Sequence, residues 1–356
     1  MNRLLSIIAL AILLAACSGG AGKSGTAEVD LHQREMVLLS EGLIYYGDNP
    51  GAEVTEEFGR KVQELSEENR ALLEDVFNDY ADLADLANYA YKDSDVALPK
   101  GWVDLGAEDP KLGRLISGYF VSGLKCSLMA KGDRKALVFA GTDFPADWKN
   151  LKGVMDFIMD AYEDVDGALN PSAAQVVAAG NLVDELLAAG YVKTENLEFA
   201  GHSLGGRLAS EMAVRYSCPA VIFNAAGVSP EIYKVYDAAR KAADEHWRGY
   251  IVAVASSNDP LTFAQKYMSG SSDPFVSTVA NALSVDKKAV ESVISLVSGS
   301  LDNVKAKYAD VVDKYYERDY RALGAVMPIQ ECVGGHGIKE LAASLRARAL
   351  LLSQKK

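Results

Sequence analysis

Gly201, His202, Ser203 and Gly205 form a Gly-x-Ser-x-Gly pattern, which often surrounds a nucleophilic serine. A serine hydroxyl attacks little at neutral pH unless a base takes its proton and an acid orients that base. A short apolar strand precedes Ser203 and a helical pattern begins at Leu204, which is the strand–turn–helix setting that this motif needs. The pattern predicts Ser203 as a nucleophile, and the alternative is a glycine-rich turn in a non-catalytic α/β domain.

The base must be one of four histidines. His32 lies in a polar segment near the N-terminus, His202 lies on the wrong side of a tight turn, and His246 lies in a helical segment before a strand. His336 follows all the predicted strands in a glycine-flanked loop, where folds with this serine motif deliver their histidine, last in the order Ser, Asp, His. We therefore predict His336 as the base, with a purely structural histidine as the alternative.

The acid is expected just past a strand between the serine and the histidine. Asp259 follows the apolar strand 250–256, so its carboxylate can accept the imidazole N–H of His336 and fix its tautomer. An aspartate before Pro260 is also a common turn pair, which is the alternative reading. Weaker candidates for the acid are Asp237, Asp273 and Asp302.

An oxyanion needs donors as well. The amide of Leu204, next after the nucleophile at a helix N-terminus, is the first predicted donor. The loop after the strand 135–141 is expected to supply the second donor at Thr142. No cofactor is required, and the sequence has no HExxH motif and no Cys/His cluster with metal-ligand spacing, so no metal is predicted.

The elements around these residues alternate between strand and helix. Apolar periodicity predicts helices over 54–92, 172–189, 204–216 and 338–352, and strands over 115–123, 124–132, 135–141, 197–201, 220–224 and 250–256. Such alternation predicts an α/β fold with a mostly parallel sheet and helices on both faces. A helical pattern over about 262–325 predicts an insertion, either a mobile lid with an amphipathic stretch at 286–316 or a fixed cap.

The N-terminus has the pattern of a secretory signal. Arg3 precedes an apolar run that is too short to span a membrane, and the run closes on the residues Leu-Ala-Ala-Cys at 14–17. This segment resembles the lipobox of bacterial lipoproteins, which implies a signal peptide over 1–16, lipidation of Cys17 and a place in the cell envelope. By the same resemblance, Ser18 favours the outer membrane. The alternative is an uncleaved anchor with an incidental cysteine.

The remaining chain divides into a flexible linker, with the lipidated cysteine, over 17–30, an N-terminal helical region over 31–100 and the main domain over 101–350. The formal net charge of −13 argues against a nucleic-acid partner and against electrostatic docking on anionic lipid. One disulfide among Cys126, Cys218 and Cys332 is possible in an oxidising compartment, but the sequence does not select a pair.

Several segments together resemble the class 3 lipase family, the fungal-lipase-like branch of the α/β-hydrolases. They are VFAGTD with DWKN (138–150), FAGHSLGGRLA (199–209), VIFNAAG (221–227), SSNDPLT (256–262), GGHGIKEL (334–341) and LADLANYAYKD (83–93). The resemblance implies an α/β-hydrolase fold and the roles assigned above. This chain departs from the family at Ala140, where an arginine is usual. We therefore expect the ion pairing of that arginine to be replaced or absent.

The sequence thus predicts a membrane-anchored serine hydrolase of carboxylic esters, with lipid acyl esters as the favoured substrate. One alternative is an esterase of small esters or thioesters. Another is a non-catalytic binding lipoprotein of the cell envelope that keeps a hydrolase scaffold.

Overall fold

The computed structural model describes residues 31–46, 52–92, 96–141, 174–243, 247–256, Asp259, 322–329 and 336–354. Their centre is one sheet of seven strands: β1 (Val103–Asp104), β2 (Cys126–Lys131), β3 (Arg134–Phe139), β4 (Leu197–His202), β5 (Ala220–Phe223), β6 (Ile251–Ser256) and β7 (Ala325–Ile329). The α-helices are α1 (Leu31–Ser40), α2 (Ala52–Glu64), α3 (Glu67–Tyr89), α4 (Leu105–Glu108), α5 (Pro110–Gly118), α6 (Ala174–Ala188), α7 (Leu204–Tyr216), α8 (Pro230–Lys241) and α9 (Ile338–Ser353).

The strands lie side by side in chain order. Strands β1 to β3 pair antiparallel, and β3 to β7 pair parallel. The prediction of a mostly parallel α/β sheet is therefore confirmed, and the architecture is that of a hydrolase-like α/β fold. In the register, Phe139 pairs with Gly201, His202 with Phe223, and Phe223 with Val254. The carboxyl ends of these strands consequently meet at one edge of the sheet.

Helices cover both faces because successive side chains on a strand point to opposite sides. On β3, Ala136 and Val138 join a buried core with residues of α3 and α9. Leu137 and Phe139 join a second core with residues of α6 and α7. The predicted covering of both faces is confirmed, and it explains why the strands are continuous apolar runs.

The prediction differs from the structure at one wrong strand, at a division within a helical segment and at two strands, β1 and β7, that were not predicted. The strand predicted over 115–123 is wrong: this segment completes α5 and then forms a 3₁₀ turn over Tyr119–Ser122. Asp109 caps α5 by accepting the N–H of Lys111 at 2.8 Å, and Leu112 and Ile116, four residues apart, fill its buried side.

The other differences concern a division within a helical segment and two added strands. The segment 54–92 is helical as predicted but is divided into α2 and α3, because Ser66 caps α3 by accepting the N–H of Asn69 at 3.1 Å. Strand β1, of two residues, was not predicted. Strand β7 was not predicted, since its five residues follow a long helical pattern and include Pro328. A proline is tolerated near the edge of a sheet, where one ladder position needs no donor.

Arg134 joins three elements through buried ion pairs. Its guanidinium bonds Asp79 of α3 at 2.9 Å and Glu198 of β4 at 2.8 Å. Arg34 of α1 approaches Asp79 at 3.6 Å. Both carboxylates raise the pKa of Arg134 and thereby keep it charged despite its burial. These ion pairs join α3 to β3 and β4, and β4 is the strand that leads to Ser203.

Cys126 and Cys218 are buried free thiols, so neither takes part in a disulfide. Burial raises the pKa of Cys126 to about 12 and that of Cys218 to about 11, which keeps both thiols protonated. Among the described helices, none is long and apolar enough to cross a membrane. Four features of the sequence lie outside the described residues. They are the predicted signal over 1–16, the linker over 17–30 with Cys17, the residue Cys332 and nearly all of the insertion over 262–325.

Candidate active site

Ser203 occupies a sharp turn between β4 and α7. Its backbone angles, φ 57° and ψ −124°, lie in a region that non-glycine residues rarely adopt, at a cost of about 1–3 kcal/mol. Hydrogen bonds hold this conformation: Ser203 donates its N–H to the carbonyl of Phe223 at 3.1 Å, and its carbonyl accepts the N–H groups of Gly206 and Ala226, each at 3.0 Å. Such a strained strand-to-helix turn is the geometry that presents a nucleophilic serine above a sheet.

Glycines allow the turn to pack tightly on β3. A Cβ added at Gly205 would lie 2.7 Å from both the carbonyl carbon and oxygen of Ala140, and closer still to the carbonyl oxygen of Phe139. Ala140, where the class 3 lipases usually carry arginine, is itself buried in the core beneath this contact. The first turn of α7 therefore touches the end of β3, and no larger residue fits at position 205.

The chain leaving β3 also reaches the serine. A Cβ added at Gly141 would lie 2.9 Å from the Cβ of Ser203 and 2.8 Å from the hydroxyl of Tyr91. Gly141, which the sequence pattern did not single out, thus lies next to the candidate nucleophile. The predicted oxyanion donor Thr142 follows it directly but lies outside the described residues. The other predicted donor, Leu204, is the first residue of α7, where backbone N–H groups have no partner within the helix.

Asp259 and His336 form a buried pair. The Nδ1 atom of His336 is hydrogen-bonded to Oδ1 of Asp259, and the two side chains are 3% and 0% exposed. Asp259 follows β6 in the chain, and its N–H donates to the carbonyl of Ser256 at 3.2 Å. The structure thus brings together the two residues that the sequence paired. An imidazole bound this way presents its other nitrogen, Nε2, for proton transfer.

His202 has a defined position that the sequence argument missed. Its Nδ1 lies 2.7 Å from the hydroxyl of Tyr91, its Nε2 lies 2.8 Å from the main-chain carbonyl of His336, and the two imidazole rings are 4.6 Å apart. Burial, and next the nearby His336, hold the pKa of His202 well below its usual range. Because His336 contacts the residue that directly precedes Ser203, the pair with Asp259 lies at the same strand end as the serine.

The other candidate acids are separate from this cluster. Asp237 lies on α8 and pairs with Arg240 at 2.7 Å and Lys241 at 2.6 Å, and hydrogen bonds from both cations lower its pKa. Asp273 and Asp302 lie outside the described residues. Within the part of the chain that the structure describes, no group of three or more His, Cys, Asp or Glu residues is placed to hold a metal ion.

The mostly parallel sheet, with Ser203 at the turn between β4 and α7, defines a hydrolase-like α/β protein. The family model "Phospholipase-like: Tle-like phospholipase domain" matches residues 82–311, about two thirds of the chain. The chain therefore belongs to this phospholipase-like family, which places it among the hydrolases of lipid esters. The matched range contains Ser203 and Asp259 and ends before β7 and His336. No curated protein matches the chain, and the resemblance to the class 3 lipases stays a prediction.

Proposed function

We propose that the chain is a serine hydrolase that cleaves acyl ester bonds of phospholipids through Ser203, His336 and Asp259. The observation that carries the proposal is the strained turn at Ser203 next to a buried His–Asp pair, in a chain of a phospholipase-like family. No single element of this set is diagnostic, but a nucleophile, a base and an orienting acid are the three parts that acyl transfer needs.

In this mechanism Ser203 attacks the ester carbonyl while Nε2 of His336 takes its proton. Asp259 holds Nδ1–H, which fixes the tautomer and stabilises the imidazolium that forms. The amides of Thr142 and Leu204 stabilise the oxyanion, the alcohol leaves with the proton from His336, and water then releases the fatty acid by the same route. All the groups belong to the protein, so the proposed reaction uses no cofactor.

The substrate assignment is tested by comparing four ester classes. Purified protein is incubated with phospholipid vesicles, with a triacylglycerol emulsion, with a soluble short-chain ester and with a thioester, and fatty-acid release is measured by mass spectrometry. Ser203→Ala is the matched control in each assay. We expect phospholipid cleavage that Ser203→Ala abolishes. Cleavage of the soluble ester or thioester alone would replace the proposal with the small-substrate esterase, and cleavage of none would support the non-catalytic lipoprotein.

The proposal includes a lipid anchor at Cys17 that holds the enzyme in the cell envelope, at the outer membrane. It is supported by the apolar run and the Leu-Ala-Ala-Cys segment at 14–17. An anchor of this kind would place the active site at a bilayer, where phospholipid is the abundant ester. The full-length chain is expressed in a bacterial host and fractionated. We expect an acylated N-terminal cysteine in the membrane fraction, lost in Cys17→Ser; a soluble, unacylated product would contradict the anchor.

A further inference from the structure

Two buried side chains from neighbouring strand ends form hydrogen bonds with the main-chain carbonyl of His336. His202 ends β4 and reaches this carbonyl through Nε2 at 2.8 Å. Asn224 follows β5 and donates its Nδ2 to the same oxygen at 3.4 Å. Because Asp259 binds the imidazole from beyond β6, His336 is held through both its backbone and its ring.

The hydrogen-bond partners fix the state of His202. A carbonyl oxygen can only accept, so Nε2 of His202 carries the proton and donates it to His336. Burial, and next the nearby His336, hold the pKa of His202 well below its usual range, so its imidazole is neutral. With the proton on Nε2, Nδ1 is an acceptor, and the hydroxyl of Tyr91 donates to it at 2.7 Å. This state suits a neighbour of the base, since a positive charge 4.6 Å away would oppose protonation of His336 during the reaction.

The orientation of Asn224 is fixed in a similar way. Its Oδ1 accepts the N–H of Ser256 at 2.9 Å, which leaves Nδ2 directed at His336. Its own N–H donates to the carbonyl of Val254 at 3.0 Å. The residue adopts φ 41°, a left-handed conformation that asparagine tolerates better than most residues. The amide is thus held by β6 on one side and contacts His336 on the other.

We propose that His202 and Asn224 are positioning residues that fix the backbone of His336, with Tyr91 orienting His202 from behind. The inference rests on the proposed function, because it assigns the two residues to the delivery of the base. The position of a catalytic histidine has to be fixed to well under 1 Å. A displacement of about 1 Å at a reacting group costs on the order of 100-fold in rate. The two carbonyl contacts supply this restraint from the rigid strand ends.

The variants separate hydrogen bonding from volume. His202→Leu removes both polar contacts, whereas His202→Gln keeps an amide donor for the carbonyl and an acceptor for Tyr91. Asn224→Asp keeps the acceptor for Ser256 but cannot donate to the carbonyl as a carboxylate. Tyr91→Phe removes only the hydroxyl, and Tyr191→Phe, which removes a tyrosine hydroxyl bonded to Asp109, is its matched control away from the site.

Three readouts are taken on each variant. They are kcat and KM on a soluble ester, the rate at which a fluorophosphonate labels Ser203, and the low-field proton resonance of the His336 Nδ1–H bonded to Asp259. We expect His202→Leu and Asn224→Asp to lower kcat and the labelling rate about 10–100-fold with KM unchanged. We also expect both to weaken the resonance, His202→Gln to recover part of each loss, and Tyr191→Phe to match the wild type.

The resonance makes the two claims separable, because it reports the His336–Asp259 bond whether or not Ser203 reacts. If wild-type Ser203 is not labelled, the proposed function fails, while loss of the resonance in the variants still supports the positioning role. If folded His202→Leu and Asn224→Asp keep the wild-type resonance, labelling rate and kcat, the inference is overturned. Circular dichroism and Tm identify variants that fail to fold, for which His202→Gln and Tyr91→Phe give the decisive comparison.

Discussion

A methyl group added at Gly205 tests the close approach of the serine turn to β3. In Gly205→Ala the new Cβ would lie 2.7 Å from the main chain of Ala140, where ordinary contacts begin at 3.4 Å. The carbonyl oxygen of Phe139 is closer still, so either α7 or β3 must move by about 1 Å, because the obstructing atoms are backbone and cannot rotate away. Overpacking of this kind costs about 1–3 kcal/mol in the free energy of unfolding.

The same shift should reduce activity as well as stability. Ser203 lies two residues before Gly205 on the same turn, so a displacement approaching 1 Å costs on the order of 100-fold in the rate of Ser203 labelling. Gly59→Ala and Gly118→Ala are matched controls, because a Cβ at either glycine meets nothing within 4 Å. Both controls should gain about 0.4–1 kcal/mol by restricting the unfolded chain.

Urea unfolding gives the free energies, and a fluorophosphonate gives the labelling rate at Ser203. The controls should keep the wild-type labelling rate while their unfolding midpoints rise. A Gly205→Ala protein with the midpoint and labelling rate of the wild type would refute the tight packing between the turn and β3.

Two further predictions concern buried charge. Arg134→Met leaves Asp79 and Glu198 without the buried guanidinium that they share, and it should lower the free energy of unfolding by about 3–5 kcal/mol. Arg60→Met removes one partner of an exposed ion pair and should change the free energy of unfolding little. Equal effects of the two substitutions in urea unfolding would contradict this prediction. Burial raises the pKa of Glu35 from 4.5 to about 8. The unfolded carboxyl then ionises first, so stability should fall as pH rises from about 4.5 to 8, and Glu35→Gln should flatten this decline in Tm. Parallel profiles for the two proteins would show that Glu35 is not responsible.

The sheet was predictable because its strands are buried on both faces and therefore form continuous apolar runs. Strand β7 escaped prediction because its pairing depends on a neighbour far along the chain, and a five-residue apolar run has no period of its own. The segment 115–123 was misread because its apolar residues suit a strand as well as a helix, and the cap at Asp109 decides between them. Local capping and distant pairing thus account for the errors.

At the site, the sequence predicted residues that chain order and residue type single out. Asp259 and His336 could be paired because each follows strands at a position where the fold delivers an acid and a base. His202 and Asn224 carry no such signal, because their partner is the main-chain carbonyl of His336, which is distant in sequence. Tyr91 carries none either, since its hydroxyl contacts the imidazole of His202 and not a reacting group. One clue was present: His202 ends β4, Asn224 directly follows β5, and the carboxyl ends of parallel strands meet at one edge.

Covalent labelling of Ser203 is the sharpest test that this residue is an activated nucleophile. Folded protein, beginning after Cys17, is treated with a fluorophosphonate, and the modified residue is identified by peptide mapping. We expect a label on Ser203 in the wild type and little or none in His336→Ala, with labelling of Asp259→Asn strongly slowed, because the serine needs an oriented base. A folded wild-type protein that leaves Ser203 unlabelled, or a His336→Ala protein labelled as fast as the wild type, would contradict it.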